Sequence, residues 1–276
     1  MLLVLNVNNT NTVIALYPIH GDGHIGDLRA TWRISTRHTQ TADEYGILVQ
    51  NLLQSKGVES SAVSGIVVAS VVPPMDWILR VFCERYFHHK PLFIEPGVKT
   101  GLPILTDNPS EVGADRVANC VGAFQEYGGP CIVVDFGTAT NFDVISKKGE
   151  FLGGAIAPGL NISAEALFAR AARLPRVEIK KPAKIIGTNT VDNLQIGLFY
   201  GHIGLVDSIL ERMIAKLGAD TKCVATGGLA HLIADESKYI TEVNDMLTLD
   251  GLCIIYERSR NAKSSPHAAE AQPPSS

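Results

Sequence analysis

Asp115 and Arg116, side by side in Gly113-Ala114-Asp115-Arg116, are residue types that can do chemistry together. A carboxylate within reach of a hydroxyl can take its proton. An arginine fork can hold a second carboxylate through two parallel hydrogen bonds. On a helix, positions 112, 115, 116 and 119 share one face. Val117, Cys120, Val121 and Phe124 make an apolar stripe on the other side. Asp115 and Arg116 therefore point away from that stripe. They form either a solvated charged face or a cleft wall carrying a general base and a carboxylate clamp.

A second kind of chemistry sits in two similar stretches. Val4-Leu5-Asn6-Val7-Asn8-Asn9-Thr10-Asn11-Thr12 and Val133-Val134-Asp135-Phe136-Gly137-Thr138-Ala139-Thr140-Asn141 each run apolar strand, Asn or Asp, one apolar residue, then a threonine-bearing turn. Either turn alone reads as a plain hairpin. As a pair they suit phosphate, because a tight turn offers backbone N–H groups and threonine adds hydroxyl donors without repulsion. Gly137 permits a left-handed backbone, and Asn8, in the matching place, is a residue type that tolerates positive φ. Asp135, at the strand end, could hold a cation or its hydration water. The spacing implies two related domains of about half the chain each.

Other glycine-rich stretches carry less. Gly21-Asp22-Gly23-His24-Ile25-Gly26 has G-x-G-x-x-G spacing, but Pro18 precedes it and a β-like run follows, so it reads as a hairpin loop and not a dinucleotide site. Gly153–Gly159 and Thr226-Gly227-Gly228 stand at strand ends and allow close approach to a ligand. Thr190 is a helix N-cap candidate as much as a substrate contact. No G-x-x-x-x-G-K-[ST] occurs.

The elements that must position these residues alternate in an α/β pattern. Strands are expected at Leu2–Leu5, Thr12–Tyr17, Thr31–Ser35, Gly65–Ser70, Leu92–Ile94, Cys131–Phe136, Asn141–Ser146, Gly154–Ile156 and Cys223–Thr226. Helices are expected at Asp43–Lys56, Trp77–Phe87, Ala164–Leu174, Leu229–Ala234 and Leu252–Glu257. Val191–Leu217 reads as a long helix with room for a break. Asn108-Pro109-Ser110-Glu111 is a capped helix start, with the helix running on to about Tyr127. The tail Ser259–Ser276 is rich in Ser, Pro and Ala and is expected to be disordered.

Composition bounds the partners. The chain has 276 residues, 46% hydrophobic and 19% charged, with formal net charge −4. That balance gives a core without the basic stripe of a nucleic-acid binder. No apolar run approaches a membrane span, and the N-terminus lacks the pattern of a signal peptide. Five scattered cysteines without C-x-x-C pairing read as reduced thiols in a cytoplasmic protein, not as a zinc site.

The set of motifs resembles one family, type III pantothenate kinase. The residues that carry the resemblance are Asn6–Val13, Thr100-Gly101-Leu102-Pro103, Asp107-Asn108-Pro109, Gly113–Arg116, Asp135–Thr140, Gly153–Gly159, Gly187–Val191 and Thr226-Gly227-Gly228. They stand in the family's order across roughly residues 1–258. The resemblance implies an α/β fold of two ribonuclease-H-like domains of the acetate-kinase/actin-like superfamily, with the active site in the cleft between them. The expected division is 1–125 and 126–258. The implied reaction is ATP-dependent phosphorylation of pantothenate to 4'-phosphopantothenate, the first step of coenzyme A biosynthesis, by a cytoplasmic homodimer with no nucleic-acid or membrane partner. By the family's pattern Asn6, Val7, Asn8, Asn9, Thr10, Asn11, Thr12, Val13 and Thr138 line ATP. Thr106, Gly113, Ala114, Asp115, Arg116 and Thr190 hold pantothenate. Asp115 is the proton acceptor, Asp135 binds a monovalent cation (K+ or NH4+), and Mg2+ accompanies the nucleotide.

Four residues depart from the pattern. Asn6 and Asn8 replace an aspartate and a glycine in the first turn, Thr106 stands where tyrosine is common, and Asn141 where threonine is usual. Two alternatives stay open beside an active kinase or one weakened by Asn6. One is a catalytically impaired homologue acting as a ligand-binding regulatory factor. The other is a sugar or acid kinase of the wider superfamily.

Overall fold

The computed structural model describes residues 1–171 and 174–264. These fall into two units, each built on a five-stranded mixed sheet. The first comprises residues Met1–Leu102, Asn108–Gly122 and those from Thr248 on. The second comprises Pro103–Asp107 and Ala123–Leu247.

The first sheet contains β1 (Leu2–Val7), β2 (Asn11–Tyr17), β3 (Ala30–Ser35), β4 (Gly65–Ser70) and β5 (Leu92–Phe93), in the order β3-β2-β1-β4-β5. β1 is antiparallel to β2 and parallel to β4. β1 as far as Leu5 and β4 as far as Ala69 are unbroken apolar runs, as expected of strands covered on both faces. Helix α1 (Ala42–Gln54) starts at a reciprocal cap: Glu44 N–H donates to Thr41 Oγ1 (3.2 Å) and Thr41 N–H donates to Glu44 Oε2 (2.7 Å). Helix α2 (Pro73–Phe87) begins four residues before the expected Trp77, because proline fits the first turn. Tyr45, Val49, Leu53, Leu79 and Phe82 fill the core between these helices and the sheet.

The second unit repeats the plan. Its strands are β6 (Cys131–Phe136), β7 (Ala139–Ile145), β8 (Phe151–Pro158), β9 (Lys222–Thr226) and β10 (Glu242–Val243), in the order β8-β7-β6-β9-β10. Pro103–Leu105 runs along the outer strand: Phe151 N–H donates to Pro103 O and Leu105 N–H to Phe151 O, both 2.8 Å. Helix α4 is Leu160–Arg170, α5 is Thr190–Leu217 and α6 is Ala230–Ala234. α5 is one continuous helix. α4 starts four residues before the expected Ala164, where Gly159 ends the strand. The expected end of that helix includes residues 172 and 173, outside the described ones.

Four expectations need correction. The capped start at Asn108 does not run on into one helix. Asn108 Oδ1 accepts from Ser110 N–H and closes only the 3-10 turn Pro109–Glu111. Val112 is extended, and α3 (Ala114–Tyr127) begins afresh after Gly113. The terminal helix, α7 (Leu247–Ser264), is far longer than Leu252–Glu257. Ser259–Ser264, expected in a disordered tail, are helical, and residues 265–276 lie outside the described part. α7 also belongs with the first unit, so the division at 125/126 does not hold along the chain. The reason is close packing. A side chain at Gly251 would lie 1.9 Å from Ala118 O of α3. Glu257 Oε1 accepts from Ile25 N–H at 2.7 Å, and Arg258 donates to Thr100 O at 2.8 Å.

Candidate active site

In each unit the polar residues collect at the carboxyl ends of the parallel central strands, where open α/β sheets bind ligands. In the first unit these are the ends of β1 and β4. Val71 N–H, just past β4, donates to Val7 O at 3.0 Å. Gly113 lies over the same end: a Cβ there would sit 3.5 Å from Val71 Cγ1 and only 2.7 Å from Asp115 Oδ1. The glycine therefore leaves room for the Asp115 carboxylate, which is half-buried and accepts from Arg116 N–H at 2.8 Å. Burial raises the Asp115 carboxyl above the usual range, against the opposing pull of that N–H and of the Arg116 charge. A carboxylate with raised proton affinity is the better base.

The first hairpin turn lies at this end of the sheet. Asn6 is buried, and its Oδ1 has no hydrogen-bond partner among the described residues. Asn8 is half-buried, Asn9 and Thr10 are exposed, and Asn8 N–H closes the turn on Asn11 O at 3.1 Å. Val7 is fully buried; Asn11 and Val13 are partly buried. Thr12 is fully buried, and its hydroxyl meets Thr36 Oγ1 at 3.0 Å, so its side chain works inside the unit. Asn8 is a residue type that tolerates positive φ, but neither Asn8 nor Gly137 adopts it. Asparagine in place of glycine thus costs no backbone strain at this position.

In the second unit Asp135 is the penultimate residue of β6, level with Thr226 on β9. A Cβ at Gly227 (φ 95°) would come within 2.6 Å of Asp135 Oδ1, and one at Gly137 within 3.7 Å. Two glycines thus border a half-buried carboxylate oxygen, an arrangement suited to a hard cation that keeps some of its water. Among the described residues no group of three or more His, Cys, Asp or Glu could hold a metal by itself. A cation at Asp135 would therefore need ligand oxygens or water as well. Gly159 backs the turn: a Cβ there would sit 2.2 Å from Thr138 O and 2.7 Å from Gly137 O. Thr140, buried beside the turn, shares a hydrogen bond with His202 Nε2 of α5 at 3.1 Å.

Two expected substrate residues lie elsewhere in the second unit. Thr106 is next to Gly153, level with Val144 and away from the Asp135 end of the sheet; its Oγ1 is buried without a partner among the described residues. Thr190 is exposed as the first residue of α5 and is not its cap. Asn189 is the cap, accepting from Asp192 N–H at 2.9 Å. Lys184 holds Asp192 at 2.9 Å and keeps that carboxyl below the usual range. The sequence reading missed Thr36, Gly159 in its bracing role, and the Thr140–His202 pair. The signal for the first two is positional, since each directly follows the third strand of its sheet.

Comparison with known proteins decides the family. The sequence profile described as type III pantothenate kinase matches residues 2–212. The chain belongs to the type III pantothenate kinase family. A type III pantothenate kinase of Acidobacterium capsulatum is 77% identical over 263 residues, covering 95% of this chain and 97% of its own. One from Koribacter versatilis is 60% identical, again over 95% of this chain and 97% of its own. Solved structures agree in fold. The activator of 2-hydroxyisocaproyl-CoA dehydratase from Clostridium difficile, with bound ADPNP, superposes with a TM-score of 0.51 at 12% identity, covering 99% of each chain. The Acidaminococcus fermentans (R)-2-hydroxyglutaryl-CoA dehydratase component A gives 0.54 at 12% identity, covering 95% of this chain and 98% of that one. This pantothenate kinase family member thus shares its fold with these two structures. Among the described residues no helix is long and apolar enough to cross a membrane.

Proposed function

We propose that the protein transfers the γ-phosphoryl group of ATP to the terminal hydroxyl of pantothenate, giving 4'-phosphopantothenate for coenzyme A synthesis. The observation that carries this reading is Asp115. In a chain of this family, it is a half-buried carboxylate with raised proton affinity at the carboxyl ends of the parallel strands of a mixed sheet, next to an arginine. Phosphoryl transfer asks the protein for positioning and charge stabilisation more than covalent chemistry. Asp115 takes the proton of the attacking hydroxyl. Arg116 pairs with the pantothenate carboxylate, with Gly113 and Ala114 beside it and Thr106 and Thr190 as further substrate contacts. Asn6–Val13 and Thr138 serve the ATP phosphates, Thr12 from behind the turn. Asp135 and the glycines beside it fit a monovalent cation, K+ or NH4+, and Mg2+ enters with the nucleotide. Such cations, when bound, neutralise charge on the phosphates.

The enzyme works as a homodimer in the cytoplasm. Exposed Ile185, Ile186 and Val191, close in sequence to Thr190, are apolar surface that a second copy would cover. The five cysteines are all buried and in no disulfide, which suits a reducing compartment.

The test is turnover with pantothenate and ATP in wild type and Asp115→Asn. The variant should fold normally and lose about 10²–10⁴ in turnover, the usual range for a general base. Near-normal turnover in the variant would remove Asp115 from that role. An inert wild-type protein that still binds pantothenate would favour the impaired-homologue reading.

A further inference from the structure

We propose that Thr36 is a positioning residue for the nucleotide phosphates, holding the Asn8–Thr10 turn in the orientation that presents N–H groups to an anion. The inference rests on the kinase reading above and adds a residue to it. Thr36 directly follows β3, level with Thr10, and makes three hydrogen bonds to the hairpin. Its N–H donates to Thr10 O at 3.0 Å, its hydroxyl donates to Asn8 O at 2.6 Å, and the same hydroxyl meets Thr12 Oγ1 at 3.0 Å. Proton counting fixes the directions. A hydroxyl has one hydrogen, and a carbonyl can only accept. Thr36 therefore gives its hydrogen to Asn8 O, and Thr12 donates to Thr36.

The consequence follows from peptide geometry. The peptide planes of an exposed three-residue turn can rotate, and a carbonyl swung toward a phosphate would repel it. Asn8 O is not used by Asn11 N–H across the turn; Thr36 takes it instead. In a planar trans peptide the C=O and the following N–H point in opposite directions. With Asn8 O and Thr10 O both drawn toward Thr36, the N–H groups of Asn9 and Asn11 face the opposite side. Asn9 is exposed, and its N–H has no partner among the described residues, so it is open to a ligand. Thr36 itself need not touch the ligand. It acts through the turn.

Steady-state kinetics of purified full-length protein with Mg-ATP and pantothenate test this. Thr36→Val keeps the β-branched shape and the backbone N–H but deletes the hydroxyl. One lost hydrogen bond corresponds to a rise in the ATP KM of roughly 3- to 10-fold, with the pantothenate KM within about twofold of wild type. Thr36→Ser, which restores the hydroxyl, should return the ATP KM to within about twofold. Thr31→Val is the control: it deletes a β3 hydroxyl bonded to Ile14 O of β2, away from the turn, and should leave both constants unchanged. A folded Thr36→Val with an unchanged ATP KM overturns the proposal, and so does a parallel rise in both constants. Thr36→Ala repeats the comparison if valine is not accommodated. Failure of both variants to fold would make the residue structural and overturn the positioning role. Calorimetric titration with Mg-ATP separates this from failure of the kinase reading. A wild type that binds nucleotide but does not phosphorylate pantothenate would sink the reaction, while the same roughly 3- to 10-fold weakening of binding in Thr36→Val would still uphold Thr36.

Discussion

The two hairpin turns are supported by different materials. β1 and β2 are joined by three residues, Asn8–Thr10, and β6 and β7 by two, Gly137 and Thr138. The pairings Asn6 with Val13 and Asp135 with Asn141 show that the offset between the repeats is 129 before the turn and 128 after it. In that register Thr12 matches Thr140, Thr36 matches Gly159, and Val13, not Thr12, matches Asn141. Both threonines are buried and bonded inward, one to Thr36 and the other to His202. Both turns are backed by the residue after the third strand. The longer turn is held by side-chain hydrogen bonds, and the shorter by a glycine packed against its backbone. The duplication thus conserves where the support comes from, while the chemistry of the support follows the length of the turn.

The comparison breaks most readily at Gly159. A Cβ there would meet two backbone carbonyls that cannot turn aside, at 2.2 and 2.7 Å. Gly159→Ala should cost about 1–3 kcal/mol, as overpacking does, and lower the melting temperature by roughly 3–10 °C. A thermal melt at unchanged stability would show that the glycine contact is not a support at all.

A smaller effect separates the units by pH. Burial holds His202 below its ordinary value of 6.5, whereas Thr36 does not titrate. The unfolded chain takes the proton first, so this contribution to stability is complete above about pH 6.5 and falls as pH drops from there toward the lowered folded-state value. Hydrogen exchange of β7 amides, corrected for intrinsic rates, should quicken between pH 7 and 5 relative to β2 amides. Equal acceleration in both strands would remove His202 as the cause.

The smallest effect is expected at Gly137. A Cβ would make ordinary contacts, 3.6 Å from Ala139 O and 3.7 Å from Asp135 Oδ1, and φ is not positive. Gly137→Ala should leave the melting temperature unchanged or raise stability by about 0.5 kcal/mol through the unfolded chain. A clear loss of stability would mean that the backbone at Gly137 does need glycine. A large rise in ATP KM at full stability would instead mean that the glycine is kept for close ligand approach.

Much of this arrangement was legible in the sequence. The apolar runs Leu2–Leu5 and Gly65–Ser70 announced the central strands, and Asn6 and Asp135 marked the repeat. What could not be read was contact between residues far apart in the chain. The signal at Thr36 and Gly159 is only their place after a third strand, and their roles depend on that strand folding back beside the hairpin of its own unit. Asn119 was placed on a charged face beside Asp115, yet it is fully buried and takes a hydrogen bond from Thr248 at 2.6 Å. α7 shows the same limit. Ser259 onward reads as a tail because nothing in the sequence shows that Glu257 and Arg258, just before it, have partners more than 150 positions away. The Asn108 cap failed for a local reason: its side chain bonded to Ser110, and the chain straightened at Val112 before α3 could begin.

The most direct test of the central claim is the identity of the product formed from pantothenate and Mg-ATP, followed by mass and 31P NMR with and without K+. Expected are ADP and a pantothenate monophosphate in equal amounts, the phosphate on the terminal hydroxyl, and faster formation with K+ present. ATP hydrolysis without transfer, or phosphorylation of another acceptor in preference to pantothenate, would contradict the assignment.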